Sequence, residues 1–320
     1  MEDGHRIIAM LNQKGGVGKT TTTVNLGAAI AREGNRVLLV DLDPQAHLTL
    51  HLGVEPDAED TAELTIYDLL LDREIDPKKA ITSLNERLDI IASEVDLAAA
   101  EVELAPLHDR YLRLAEHLSS LRGEYDYILL DCPPSLGLLT INALACAGEV
   151  IVPMQAHFLA LQGVSKLLET VSLISEQVNP GLRVTGVVLC MHDTSTRLSG
   201  EVVADLKQFF EQNRDLDVPW RDARLLTPHI RRNIKLAEAP SFGLPIFDYE
   251  PNCAGAEDYA ALARQVIQLG KSVKEKPAPE ENSEDNDRDK ALVVYTRPTG
   301  ATTAVHSKNP AESVSGEKVS

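Results

Sequence analysis

The 320-residue sequence contains no apolar run of about 18 residues or more, so nothing in it reads as a helix crossing a bilayer. No signal-peptide pattern precedes its first strand-like run, and the expectation is a soluble cytoplasmic protein. Cysteine is scarce. Cys132, Cys146, Cys190 and Cys253 stand far apart without a C-x-x-C spacing. That argues against a disulfide framework or a zinc site and for buried intracellular thiols. Basic charge is short as well, with 31 Lys and Arg against 49 Asp and Glu and a formal charge of −18. A surface basic throughout is therefore excluded, and any contact with nucleic acid requires a local patch. Apolar residues, by contrast, make up 43% of the chain, enough for a sizeable core.

From residue 6 to about 270, short apolar runs alternate with longer amphipathic ones. The runs 6–11, 36–41, 127–131, 149–153 and 184–190 lack period-two alternation, as expected of strands covered on both faces. Between them, 20–33, 98–121 and 163–178 read as helices, each followed by Gly or Pro near its end. This alternation predicts an α/β fold with a mostly parallel twisted sheet and helices on both faces. Ligands in such sheets bind at the carboxyl ends of strands. Residues 55–76, with nine acids and one arginine, read as a solvated face or loop. From Lys271 the chain turns polar and rich in Pro, Ser, Glu and Asn, which predicts a disordered tail over 271–320 behind a folded domain over 1–270.

Directly after the first strand comes Asn12-Gln-Lys-Gly-Gly-Val-Gly-Lys-Thr-Thr21, followed by a helix. Strand, glycine-rich loop and helix form the context of a phosphate site. Glycines let backbone amides approach phosphate oxygens, and the helix N-terminus adds unpaired N–H groups. Lys14, Gly15, Gly16, Val17, Gly18, Lys19, Thr20 and Thr21 are the candidate nucleotide contacts. Lys19 is expected to reach the β- and γ-phosphates, and Thr20 to ligate Mg²⁺. The loop departs from G-x-x-x-x-G-K-T, with Gln13 where glycine is usual and a second lysine, Lys14.

Two further segments, Val40-Asp-Leu-Asp-Pro-Gln45 and Leu130-Asp-Cys-Pro-Pro-Ser135, end strands with carboxylates. Phosphoryl transfer needs a held Mg²⁺ and a water aligned on the γ-phosphorus. Asp131 suits the metal side, Asp43 is the candidate for orienting or deprotonating water, and Asp41 supports the loop.

The form K-G-G-x-G-K-T resembles the ParA/MinD family of deviant Walker A ATPases, and V-D-x-D-P-Q and D-x-P-P-S match its other signature segments. Pro153–Gly163 and Arg232-Asn-Ile-Lys-Leu-Ala-Glu-Ala-Pro-Ser-Phe-Gly243 resemble the chromosomal ParA (Soj) subgroup, with coverage of roughly 6 to 268. The resemblance implies ATP and Mg²⁺ as cofactors and a homodimer formed with ATP. It implies that Lys14 reaches the nucleotide of the other subunit, joining Lys19 and Asp43 in catalysis. Basal hydrolysis is expected to be weak. Asn233 is implied beside the base, in a loop where Arg231 replaces the proline usual in the subgroup. A ParB-type centromere-binding protein, whose basic N-terminal peptide docks at the dimer, is the implied activator.

Between Arg221 and Lys235 lie five basic residues and one acid, in a first 270 residues that hold 23 basic against 40 acidic. Such a patch suits salt-sensitive, sequence-independent DNA contact. On charge alone, a solvated loop whose arginines pair with nearby acids is equally consistent. The resemblance favours DNA, with Arg231, Arg232, Lys235 and Arg197 as candidate contacts. The expectation is an ATP-driven dimerising switch for chromosome or plasmid partitioning, located at the nucleoid. MinD-type positioning of a membrane or protein cargo is the alternative. The segment 258–276 lacks the bulky aromatics of a membrane-binding helix, which argues against a membrane partner. An iron–sulfur reductase would need a second thiol beside Cys132, and a metabolic kinase or ligase would need a substrate pocket.

Overall fold

The computed structural model describes residues 5–56, 61–157 and 160–274. The elements run β1 (Arg6–Met10), α1 (Lys19–Arg32), β2 (Val37–Asp41), α2 (His47–His51), α3 (Ile66–Leu71), β3 (Ile81–Asn85) and β4 (Leu88–Ile91). They continue with α4 (Leu97–Leu104), α5 (Arg113–Ser120), β5 (Tyr127–Asp131), α6 (Leu138–Cys146), β6 (Glu149–Met154) and α7 (Ala160–Gln177). The last are β7 (Arg183–Leu189), α8 (Arg197–Asn213), β8 (Arg224–Leu226), α9 (Ile234–Glu238), α10 (Ile246–Tyr249) and α11 (Ala254–Lys274). The strands form one sheet in the order β3-β4-β2-β5-β1-β6-β7-β8. All neighbours are parallel except β3, which runs antiparallel to β4. The doubly covered parallel sheet expected from the apolar runs is what forms.

β2 and β5 are buried at every residue because helices cover both faces. On one side α3 to α8 pack through Leu69, Leu104, Leu118, Leu139, Leu167 and Leu206. On the other, α1, α2, α9, α10 and α11 close over Ile30, Leu48, Leu236, Ile246 and Leu262. Strand order reverses around β1, with β5 on one side and β6 on the other. The loop after β1 therefore opens at the switch point where such sheets bind ligands.

Three expectations needed correction. The stretch 98–121 is two helices, α4 and α5, because Pro106 lacks an amide donor and cannot continue the first. Residues 55–76 are not simply a solvated loop: Thr65 and Asp68 form a capping box for α3, which buries Ile66, Leu69 and Leu70. The short strands β3, β4 and β8 were absent from the sequence reading, β3 because its edge position leaves only Thr82 buried. At the other end α11 runs on to Lys274, past residue 270. Beyond it, the tail expected over 271–320 lies from residue 275 onward outside the described residues.

Candidate nucleotide site

Parallel pairing sets three strand ends level, since both Met10 and Asp41 lie in register with Asp131. The loop from Leu11 to Gly18 crosses these ends. Gly16 and Gly18 have φ of 71° and 98°, a conformation that disfavours any side chain. Gly18 also lies against Cys190, leaving a Cβ only 3.2 Å from the thiol. Buried Val17 anchors the loop from below. Its edges are tied to the end of β6: Asn12 Nδ2 donates to the Pro153 carbonyl at 2.8 Å and Gln155 Nε2 to the Gly16 carbonyl at 2.9 Å. Gly18 is the N-cap of α1 and has no side chain to satisfy the first-turn amides. A fourteen-residue helix thus presents open N–H groups and its positive dipole end to the loop.

The two lysines of the loop differ sharply. Lys19 is 7% exposed, and its Nζ donates to the Lys14 carbonyl at 3.4 Å, curling over the loop. Lys14 is exposed, and among the described residues its side chain has no hydrogen bond or ion pair. Its charge reaches His157, whose pKa is lowered first by burial and then by Lys14. Gly15 and Gly16 beside it border open space.

The carboxylates sit beneath the loop. Thr20 Oγ1 donates to Asp131 Oδ2 at 2.7 Å and Thr23 Oγ1 to Asp131 Oδ1 at 3.0 Å. Asp41 accepts from the amide and hydroxyl of Thr49 at 2.9 and 2.8 Å and from the amide of Asp43 at 3.1 Å. Burial raises both Asp41 and Asp131; their mutual repulsion adds to the rise of Asp131, and Thr20, Thr23 and Lys19 oppose it. Asp43 is 8% exposed, accepts from the Gln45 amide at 3.0 Å, and is fixed through its carbonyl by Ser93 Oγ at 2.9 Å.

The sequence expectation singled out Thr20, Asp41, Asp43 and Asp131, which lie together here. It missed Thr23 on α1 and Thr49 on α2, which bond the Asp131 and Asp41 carboxylates, and Ser93 just past β4, which bonds the Asp43 carbonyl. Only the V-D-x-D-P-Q context hinted at Thr49, and nothing local marked Ser93.

A neutral hydroxyl on a buried carboxylate is a hard oxygen pair of the kind that holds Mg²⁺. Thr20 and Asp131 fit that ion, and the amides of residues 15–20 with Lys19 fit a polyphosphate. Cys132, fully buried in the core, has its thiol held protonated by burial, so it reads as a packing residue.

Farther along the sheet, loop 227–233 lies beside the end of β7, the Ile230 amide donating to the Leu189 carbonyl and the His192 amide to the Ile230 carbonyl. Asn233 caps α9, its Oδ1 accepting from the Lys235 amide at 2.9 Å and its Nδ2 left over for other contacts. The basic segment is more engaged than its sequence suggested. Arg231 pairs with Asp258 at 2.7 Å and Glu257 at 3.0 Å, and Lys235 with Glu238 at 2.8 Å. Arg197 pairs with Glu201 at 2.8 Å on its own helix. Arg232 is exposed and makes no ion pair among the described residues.

Residues 5–184 match a family model described as an AAA domain, AAA_31. Over 267 residues the chain is 46% identical to the sporulation initiation inhibitor protein Soj of Bacillus subtilis, covering 83% of this chain and 99% of that protein. It is 40% identical to the chromosome partitioning protein ParA of Caulobacter vibrioides, covering 82% of this chain and 94% of that one. Among solved structures, cobyrinic acid a,c-diamide synthase from Mycobacterium smegmatis, with bound ATP analogue and magnesium, is 34% identical. The TM-score is 0.69, with 86% of this chain and 100% of that one covered.

Proposed function

Because this chain belongs to the Soj/ParA family of chromosome-partitioning ATPases, we propose that it partitions DNA as a dimeric switch driven by its ATPase cycle. Hydrolysis of ATP with Mg²⁺ is the activity of the site described above. Thr20 and Asp131 would hold Mg²⁺, which would supply charge neutralisation to the phosphates. Lys19 and the loop amides hold the phosphates from within the subunit. Asp43, the least buried of the three strand-end carboxylates, is the group that orients or deprotonates the attacking water.

The observation that carries the dimeric reading is the contrast between the lysines. A phosphate loop served by a buried Lys19 has no local use for Lys14, which stands exposed with open space beside it. A charge so placed serves a nucleotide it meets from outside, across a two-fold axis. In the dimer, two basic surfaces face one DNA, which raises affinity through effective concentration. Arg232 is the leading contact to phosphate, with Arg231, Lys235 and Arg197 contributing only after exchange from their carboxylates. The location is then the nucleoid. A ParB-type partner stimulates hydrolysis and returns the dimer to monomers.

The test is retention of the protein on unrelated duplex DNA at low salt. Retention should require ATP and Mg²⁺, fail with ADP, and decay faster when a ParB-type protein is added. Equal retention in both nucleotides would overturn the proposal. Among the described residues no helix is long and apolar enough to cross a membrane.

A further inference from the structure

The eight-residue helix α4 buries Leu97, Ala100 and Leu104 against the core, as an amphipathic helix should. Its opposite side is not polar. Val95, in the turn that leads into it, is 75% exposed and Val102 is 76% exposed, with exposed Ala98 and Ala99 between them. At 100° per residue these four share one outward stripe. The acids are confined to its two flanks, Glu94 and Glu101 on one side and Asp96 and Glu103 on the other. An amphipathic helix ordinarily turns a polar face, not a second apolar one, to solvent.

The charge around the stripe is equally one-sided. From residue 88 to 109 the chain has six acids and no Lys or Arg. Acids elsewhere on the surface pair with cations, such as Glu116 with Arg73 and Glu124 with Lys78. None of the four flanking acids does so among the described residues. Glu94 and Glu103 accept only from the hydroxyls of Thr65 and Tyr67.

Residues bordering the stripe, rather than the stripe itself, contact the segments that carry Asp43 and Asp131. Ser93, which bonds the Asp43 carbonyl, sits two residues before Val95. Glu101 closes over Gly137 and leaves no room there for a Cβ, at the end of the segment that starts from Asp131.

We propose that the outward face of α4 is the docking surface for a basic amphipathic segment of the activating partner protein. The apolar side of the segment covers Val95, Ala98, Ala99 and Val102, and its cations reach the flanking acids. Occupation of this face bears on Asp43 through Ser93 and on the Asp131 segment through Gly137, which links docking to hydrolysis. This inference rests on the partner-stimulated reading above.

Two double variants of the full chain test it with a ParB-type partner. Val95→Ser with Val102→Ser should raise the partner concentration for half-maximal stimulation at least tenfold, with basal hydrolysis and the ATP-dependent dimer unchanged. Asp96→Asn with Glu103→Gln should flatten the salt dependence of stimulation. Stimulation unaltered in both variants would overturn the assignment. Loss of the ATP-dependent dimer in the valine variant would overturn it too, by putting a second copy of the chain on the stripe. A wild-type protein that its partner does not stimulate would instead refute the functional reading, and the inference with it.

Discussion

Replacing Lys14 by alanine separates the two lysines of the phosphate loop most sharply. The side chain is exposed and makes no hydrogen bond among the described residues, so monomer stability should change by no more than about 0.5 kcal/mol. Affinity for ATP in the monomer should also hold, since Lys19 and the loop amides supply the phosphate contacts. In the dimer each subunit loses one charged contact to the other's phosphates. Such hydrogen bonds contribute about 1.5–3 kcal/mol, and two-fold symmetry removes two of them. The sum of about 3–6 kcal/mol corresponds to roughly 10²- to 10⁴-fold weaker dimerisation. Sedimentation velocity over a concentration series, with Mg²⁺ and a non-hydrolysable ATP analogue, measures this directly. Lys19→Ala, which should lose nucleotide binding itself, is the control. A Lys14→Ala dimer within about threefold of wild type would refute the role of this lysine across the subunit interface.

Asp43→Asn keeps the acceptor used by the Gln45 amide but removes the base. Single-turnover hydrolysis should slow by about 100-fold or more while ATP-dependent DNA retention persists, and near-wild-type turnover would place the water-orienting group elsewhere. Asp131 has its pKa raised by burial and by Asp41, so the folded metal-free protein holds a proton that the unfolded chain has lost above the ordinary value of 3.8. Its contribution to stability is therefore lost as pH rises toward neutrality. Melting temperature should fall more steeply over that range in wild type than in Asp131→Asn, and Mg²⁺ with nucleotide should restore wild type only. Parallel curves would show that Asp131 does not titrate there. Arg232→Glu should weaken DNA retention and lower its salt dependence by about one to two charges' worth without changing the melting temperature. Arg231→Ala should lower the melting temperature by leaving buried Asp258 without its guanidinium partner. The reverse pattern would exchange the roles of the two arginines.

The phosphate loop was legible because its chemistry is local. Glycines at 16 and 18, a lysine at 19 and threonines at 20 and 21 act within one turn of backbone and helix. A strand in front and a helix behind are visible as apolar patterns. Asp41, Asp43 and Asp131 were legible only as strand ends. Their proximity required β2 and β1 to flank β5 in register, which depends on pairing between residues some ninety and more positions apart. The basic segment shows the limit of counting charges. Arg231 and Lys235 lie on one short stretch, yet folding brings Asp258 from α11 to the first and Glu238 from the same turn to the second.

The order of residues along the chain was thus enough to determine the class of fold, the phosphate-binding loop and the family, because these arise from period, spacing and backbone freedom over a few consecutive residues. Tertiary structure alone decided which lysine is buried and which faces outward, which hydroxyls hold the carboxylates, and which cations remain unpaired. Those outcomes depend on burial and on distances between segments far apart in sequence. Desolvation and Coulomb interaction act across space, whatever the separation along the chain.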